Sequence, residues 1–311
     1  MPACFFMKTK IILLIAFIII SAAAIFSSGK IYAKFLEFKE KKILLEKKRQ
    51  EWLSLKEAIE EKALHFNGTV GIAIKGLNTG WRIDFNEDIL FPSASLVKVP
   101  IMLSCFYAAQ EGKIGLKDIV ILKSSDKVSG SKVLGDYPSG SQFTVEQLLG
   151  PMITQSDNSA ANALITFLGF DTLNAYFKKM GLEETNIVRK MMDFQERKEG
   201  KENYTTAAEM AYLLEKIYRK EFLNKEVSER CMELLAGQKI NDRIPRELPK
   251  NGLSVAHKTG LENYICHDVG IVFTQKGDFL ICVLVKHGDK LANNAKKLIS
   301  SIAFEMYNYY L

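Results

Sequence analysis

Two serine and two lysine side chains have the types and spacing required for nucleophilic catalysis. Ser95 and Lys98 stand three residues apart, which places them one turn apart on a helix. A serine hydroxyl is a weak nucleophile until a base removes its proton. Lys98 can be that base only if burial and a second cation lower the pKa of its ammonium group, and Lys258 is a candidate for the second cation. Ser156 lies between the two lysines in the chain and adds another hydroxyl.

The SxxK pattern requires its context, because it also begins at Ser27, Ser124 and Ser129. Only Ser95 follows a strand and loop segment and opens an apolar helical run, so only there does a buried lysine face a serine one turn earlier. We therefore assign Ser95 as the candidate nucleophile and Lys98 as its base.

Two further motifs follow in order, Ser156-Asp157-Asn158 and Lys258-Thr259-Gly260. Taken separately, the first is typical of a helix N-cap and the second of a strand that ends in a turn. All three motifs in this order are expected by chance in about one chain in a thousand, judging from average composition. The combination therefore indicates shared chemistry.

The three motifs and the separations between them resemble the class A β-lactamase family of penicillin-recognising serine enzymes, over residues 66–311. The resemblance implies an active site between a sheet domain and a helical subdomain. It implies four catalytic residues, namely Ser95, Lys98, Ser156 and Lys258. It also implies four substrate-binding residues, namely Asn158, Thr259, Gly260 and Leu261. Of these, Asn158 would hold the side-chain amide of the substrate.

Each implied role has a chemical reason. Ser156 can pass a proton to the departing ring nitrogen. Lys258 and Thr259 can bind the carboxylate of the substrate. The developing oxyanion would lie between the backbone N–H groups of Ser95 and Leu261, which a helix start and a strand edge hold in place.

The sequence departs from the family at the step that releases the acyl-enzyme. Class A members use a glutamate in an ExxLN loop motif, and residues 189–197 contain no such motif. Three residues are candidates for holding the hydrolytic water or supporting the loop, namely Asp193, Glu196 and Asn162. A solvated charged loop is the alternative, because residues 193–204 are more than half charged. Ala94 and residues 262–264 also depart from the cysteine and the glycine-rich segment that many members have there.

The hydrophobic pattern predicts an α+β fold, an α/β sandwich, in which an antiparallel sheet is flanked by N- and C-terminal helices. Apolar residues alternate over residues 70–74 and 81–85, which predicts a hairpin. Strand patterns return at residues 269–273 and 279–285, and an amphipathic helix closes the chain. The segment between them, about 96–250, has a mostly helical pattern. We therefore expect both chain ends to complete one sheet, with a helical subdomain between them.

The N-terminus is predicted to direct export. Residues 1–29 match a signal peptide or a membrane anchor, since an apolar run follows two lysines and precedes small residues. That run is short for a hydrocarbon core of about 30 Å, so both readings stay open. Residues 30–65 predict an amphipathic helix, either a stalk or a solvated helix packed on the catalytic domain at 66–311. Lysines after the run favour a cytoplasmic C-terminal side, but the implied enzyme leads us to expect a periplasmic or extracytoplasmic domain.

Composition excludes several other classes of protein. The chain has 311 residues, of which 48% are hydrophobic and 25% charged, as in folded proteins of one or two domains. Its formal charge of +6 is concentrated before residue 66, so nucleic-acid binding is not expected. Five cysteines without CxxC spacing and four histidines without HExxH predict neither a metal nor a cofactor. Although His267 precedes Asp268 like a dyad, we expect structural roles for His257 and His267, and a monomeric protein.

These observations lead to one expected function and two alternatives. The expected function is an exported serine hydrolase that opens β-lactams through an acyl-Ser95 intermediate. The missing ExxLN motif leaves open a D-Ala-D-Ala peptidase, amidase or esterase that acts on cell-wall peptides. It also leaves open a penicillin-binding sensor that acylates without turnover.

Overall fold

A computed structural model describes the backbone of residues 3–311 and the side chains of residues 17, 18, 21, 32 and 34–311. The α-helices in this part of the chain are α1 Ala3–Leu64, α2 Lys98–Gln110, α3 Val145–Thr154, α4 Asn158–Leu168, α5 Phe170–Lys179, α6 Phe194–Lys198, α7 Ala207–Tyr218, α8 Lys225–Ala236 and α9 Asn293–Tyr309. The strands are β1 Gly68–Gly76, β2 Arg82–Phe85, β3 Phe91–Pro92, β4 Ile119–Ile121, β5 Gln142–Thr144, β6 Tyr204–Thr205, β7 Ser254–Glu262, β8 Ile265–Phe273 and β9 Phe279–His287. Short 3₁₀ turns occur at Ala94–Val97, Ser124–Asp126 and Ile244–Glu247.

Five strands form one antiparallel sheet in the order β2-β1-β9-β8-β7. Strand β1, from the N-terminal hairpin, pairs with β9 from Gly68 opposite His287 to Gly76 opposite Phe279. The two ends of the domain therefore meet inside the sheet, and the predicted α+β fold is confirmed. Strand β7, which carries the Lys258-Thr259-Gly260 motif, is left at one edge.

The sheet is buried on both faces. Along β9, Leu280, Cys282 and Leu284 belong to the core that is shared with α2–α5, α7 and α8. The ring of Phe279 instead stacks on Tyr310, just after α9, with the ring centroids 5.4 Å apart. Because alternate residues of a strand point to opposite faces, the sheet lies between the helical region and α9.

The start of α2 differs slightly from the expectation. Ser95 lies in the 3₁₀ turn Ala94–Val97, and the α-helix begins only at Lys98. Such turns often precede α-helices. Pro100 falls in the first turn of α2, where the absence of its N–H leaves no helical hydrogen bond unmade. The loop expected at residues 193–204 also contains the short helix α6 and strand β6.

The chain divides into two compact units, residues 1–54 and 55–311. In the first unit, the described residues lie in α1, and apolar side chains such as Phe35 and Phe38 are exposed. The second unit contains the sheet, α2–α9 and the end of α1, where Ile59 is buried.

The predicted signal or anchor at residues 1–29 falls largely outside the residues whose side chains are described. Within the described part, no helix is both apolar enough and long enough to cross a bilayer. The boundaries expected at residues 29 and 65 stay predictions.

Candidate active site

Ser95 is presented by a strained turn. The residue before it, Ala94, has a left-handed backbone with a φ of 45°, which costs a residue with a Cβ about 1 kcal/mol or more. On the other side of Ala94, the Ser93 N–H donates to the Asn203 carbonyl over 2.7 Å. This hydrogen bond fixes the chain just before the turn, and Ser95, which is partly buried, is the second residue of the turn.

The side chain of Lys98 lies at the centre of the site. It is fully buried, and its Nζ donates to Ser95 Oγ over 3.1 Å. Nζ also lies 2.7 Å from both Asn158 Oδ1 and the Ser156 carbonyl, and 3.2 Å from Ser156 Oγ. Burial lowers the pKa of Lys98 to about 7, and the charge of Asp157 opposes this effect. A neutral amine is therefore available near neutral pH to accept the Ser95 proton.

Ser156 is the shared partner of two buried amines. It lies between α3 and α4, also with a left-handed backbone, at a φ of 57°. Its Oγ accepts from the Nζ of Lys258 over 2.9 Å as well as from Lys98. Lys258 Nζ also donates to the Thr259 carbonyl over 2.8 Å. Burial lowers the pKa of Lys258 well below its usual value, and the charges of Lys98 and Arg243 add to this effect.

Asp157 holds the junction between α3 and α4 in shape. Its Oδ1 caps α4 by accepting from the Ala160 N–H over 2.9 Å. Its Oδ2 accepts from the N–H groups of Val133 and Leu134 over 2.8 and 3.0 Å. The loop between β4 and β5 is therefore tied to the motif that carries Ser156.

An open cleft of about 320 Å³ lies beside the nucleophile. It is lined by five of the predicted site residues, namely Ser95, Ser156, Asn158, Thr259 and Leu261. Gly260 lies within β7, where a Cβ would come within 3.1 Å of His267 and 3.3 Å of Leu96. Glycine at this position therefore lets β7 approach the turn that carries the nucleophile.

Arg243 also lines this cleft, and the sequence analysis missed it. Its side chain is 1% exposed, and its Nε donates to Cys266 Sγ over 3.2 Å. Its Nη1 lies 3.1 Å from Oδ1 of Asp242, a carboxylate that lines the same cleft. No motif or spacing distinguishes Arg243 from the chain's other arginines, so its place beside the cleft could be recognised only from the folded structure.

The structure does not bring Asp193 or Glu196 to Ser95. Asp193 caps α6, where its Oδ1 accepts from the Glu196 N–H over 3.2 Å. Glu196 forms an ion pair with Lys201. Neither residue lines the two cavities that contain Ser95. These two carboxylates are therefore engaged within their own loop.

The side chain of Asn162 binds the backbone of the loop between α5 and α6. The Oδ1 of Asn162 accepts from the Met191 N–H over 2.7 Å, and its Nδ2 donates to the Met191 carbonyl over 3.2 Å. Met191 lines a small cavity of about 30 Å³ beside Ser95, together with Glu262. The side-chain amide of Asn162, which was expected to support the loop, thus holds the backbone of Met191. The carboxylate that lines this cavity is that of Glu262, from β7.

The two buried histidines around the third motif make structural contacts. His257 Nδ1 pairs with Asp268 Oδ1 over 2.8 Å. Asp268 therefore pairs with His257 on the neighbouring strand and does not form a dyad with His267, which precedes it in the sequence. His267 Nε2 donates to the Pro92 carbonyl, and its Nδ1 accepts from the Val285 N–H over 3.0 Å. Burial lowers the pKa of His267 to about 4. Among the described residues, no three His, Cys, Asp or Glu side chains are arranged to hold a metal ion.

Comparison with known proteins places this geometry in context. The family model described as "Beta-lactamase enzyme family" matches residues 54–310. The chain is 27% identical to Beta-lactamase VEB-1 of Pseudomonas aeruginosa over 261 residues, which cover 79% of this chain and 86% of that protein. The structure of a β-lactamase from Sphaerobacter thermophilus is 28% identical, with a TM-score of 0.74 over 83% of this chain and 97% of its own. A PBP-A mutant, solved as an acyl-enzyme complex with penicillin G, is 27% identical, with a TM-score of 0.76 over 83% and 96% of the two chains.

The contacts of Asp157 predict a large loss of stability for Asp157→Ala. Loss of a cap costs about 1 kcal/mol, and each N–H left buried without a partner costs about 1–3 kcal/mol more. We expect the free energy of unfolding, measured by urea denaturation of the full chain, to fall by about 3 kcal/mol. Asn224→Ala is the control, because Asn224 caps α8 at the surface through the Val227 N–H alone. An equal loss in the two variants would contradict the role of Asp157.

Proposed function

The chain belongs to the beta-lactamase enzyme family, and from that membership we propose that it opens β-lactam rings through an acyl-enzyme on Ser95. The observation that carries this proposal is the convergence of two buried amines on two serine hydroxyls. Lys98 Nζ lies 3.1 Å from Ser95 Oγ, and Lys258 Nζ lies 2.9 Å from Ser156 Oγ. The sequence places these residues in three separate motifs, and a structural role alone gives no reason to bury both lysines together.

In the proposed acylation, the neutral amine of Lys98 takes the Ser95 proton as Oγ attacks the β-lactam carbonyl. Ser156 then passes a proton to the ring nitrogen, since its hydroxyl lies within hydrogen-bonding distance of both amines. The left-handed turns at Ala94 and Ser156 fix the two hydroxyls before substrate binds. Such positioning lowers the entropic part of the barrier.

The cleft supplies the proposed substrate contacts. Thr259 and Lys258 bind the carboxylate of the substrate, and the buried guanidinium of Arg243 adds positive charge on that side. The backbone N–H groups of Ser95 and Leu261 stabilise the oxyanion. Asn158 holds the side-chain amide, and Gly260 permits the close approach of β7 to the nucleophile.

A second candidate function is a penicillin-binding protein that acylates and releases its product slowly. The observation that favours it is Met191, which lines the cavity beside Ser95 from the loop where class A members carry a glutamate. The likeness to PBP-A points the same way, since a mutant of that protein was solved as its acyl-enzyme.

We also propose where the protein acts, how the membrane is involved and which oligomeric state it has. The apolar run near the N-terminus acts as a signal or an anchor, and the catalytic domain works outside the cytoplasm as a monomer. Its substrates are β-lactams or cell-wall peptides, which are found on that side of the membrane. The N-terminal apolar run and the beta-lactamase relatives support this assignment.

Replacement of the nucleophile tests both candidate functions. After addition of penicillin, the intact mass of the full chain should rise by one penicillin and then return to its starting value. Ser95→Ala should form no adduct and lose at least about a thousandfold in turnover, because the variant lacks the proposed nucleophile, and the other hydroxyl near Lys98, that of Ser156, is held between two amines. Ser129→Ala is the control, since Ser129 begins another SxxK sequence and is exposed. A lasting adduct on the native chain would favour the slow binder, and an adduct on Ser95→Ala would refute the nucleophile.

The lowered pKa of Lys98 predicts the pH dependence of acylation. Because burial lowers the pKa to about 7, the amine is neutral and able to act as a base above that pH. The acylation rate should therefore fall about tenfold per pH unit below the midpoint and level off above it. The measurement is the rate of adduct formation with a chromogenic cephalosporin across this range. A flat profile would show that Lys98 is not the base.

A further inference from the structure

A small cavity lies between Ser95 and the loop from α5 to α6, which carries Met191. Its volume is about 30 Å³, and its polar lining includes Ser95, Asn158 and Glu262. One water molecule needs about 10–15 Å³ of such volume and two or more polar partners. The cavity therefore has the size and the polarity to hold a water molecule next to the proposed nucleophile.

The course of β7 directs Glu262 to this cavity. Alternate residues of a strand share a face, so Lys258, Gly260 and Glu262 lie on the same side of β7. A Cβ at Gly260 would lie 3.3 Å from Leu96, within the turn that carries Ser95. The face of β7 that presents Glu262 is therefore the face that packs on the nucleophile turn.

One oxygen of Glu262 is bound and the other is not. Oε1 accepts from Arg197 Nη1 over 2.9 Å and from Arg189 Nη2 over 3.4 Å. Oε2 is buried and has no protein hydrogen-bond partner among the described residues, and the whole side chain is only 7% exposed. A buried carboxylate oxygen without a partner is costly, and a bound water removes that cost.

Glu202 shares the same arginines but has a different environment. Its Oε1 accepts from Arg189 Nη2 over 2.6 Å, and its Oε2 lies 2.9 Å from Arg197 Nε. Both of its oxygens are therefore occupied, and Glu202 does not line the cavity. The two glutamates are matched in charge and in partners, and they differ in access to Ser95.

We propose that Glu262 holds and activates the water that hydrolyses the acyl-enzyme, an inference that rests on the proposed acylation of Ser95. The water donates to Oε2, and as its oxygen attacks the ester carbonyl carbon its proton passes to that carboxylate. The tetrahedral oxyanion then collapses, and the bond between the carbonyl carbon and Ser95 Oγ breaks. The proton returns from Glu262 to Oγ, which leaves a free acid, a neutral serine and an ionised glutamate.

The test separates acylation from deacylation in the full-length chain. Rapid mixing with penicillin, followed by intact mass measurement, gives the rates of adduct formation and loss for E262Q and E202Q. We expect E262Q to acylate within about threefold of the native rate and to deacylate at least about a hundredfold more slowly, as when a general base is removed. E202Q should deacylate within about threefold of the native rate, because its oxygens do not reach the cavity.

Release by hydroxylamine distinguishes catalysis from a change in shape. This nucleophile needs no base, so it should release the adduct from E262Q as fast as from the native chain. Native-like deacylation in E262Q, equal slowing in E202Q, or slow release by hydroxylamine would each overturn the proposal.

If E262Q does not fold, Glu262→Asp keeps the charge but withdraws the oxygen by about 1 Å, which should slow deacylation about a hundredfold. Native-like loss of the adduct in that variant would likewise overturn it, whereas failure of the native chain to acylate would instead overturn the proposed function.

Discussion

The site depends on the burial of two amines in one small space. Lys98 and Lys258 are both fully buried, both contact Ser156 Oγ, and loss of water is the largest cause of the lowered pKa of each. An ammonium removed from water tends to lose its proton, because the charged form is the one that solvent stabilises. Helix α2, strand β7 and the junction of α3 with α4 exclude that solvent. The packing that stabilises the fold therefore also lowers the pKa of the proposed base, and loosening of these elements would let water return and favour the charged form of both amines.

Strain is concentrated at the two hydroxyls that this environment serves. Ala94 and Ser156 both have left-handed backbones, at φ values of 45° and 57°. Such conformations persist where the surroundings fix them. At the first turn the Asn203 carbonyl accepts from the chain just before Ala94, and at the second the Asp157 carboxylate accepts from three N–H groups. The contacts that oppose relaxation are hydrogen bonds, whereas burial is what lowers the pKa of the two lysines. Position and protonation are thus controlled by different parts of the structure.

This division explains what the sequence could predict. Ser95 and Lys98 lie one turn apart, and the alternation of apolar residues marks the strands of the sheet, so short-range periodicity was enough to pair Ser95 with Lys98 and to predict the fold. Asp193 and Glu196 were plausible because they lie in the right loop, but capping of α6 and pairing with Lys201 account for both. Arg243 and Glu262 acquire their environment from distant segments, which a single sequence does not specify. Strand alternation did contain one signal, because Glu262 stands four residues after Lys258 and therefore on its face.

The fate of an acyl-enzyme in this chain would therefore be decided outside the three motifs. The motif residues Ser95 and Asn158 line both the open cleft and the small cavity, but only the small cavity is also lined by Met191 of the loop and Glu262 of β7. Arg189 and Arg197 come from that loop and bind Glu262 of β7, while Glu202 pairs with both from the loop's far end. A displacement of the loop would alter the arginine contacts and the cavity at the same time. Since a base acts on water only within hydrogen-bonding distance, the loop and strand contact would set the rate of release without touching the acylating residues.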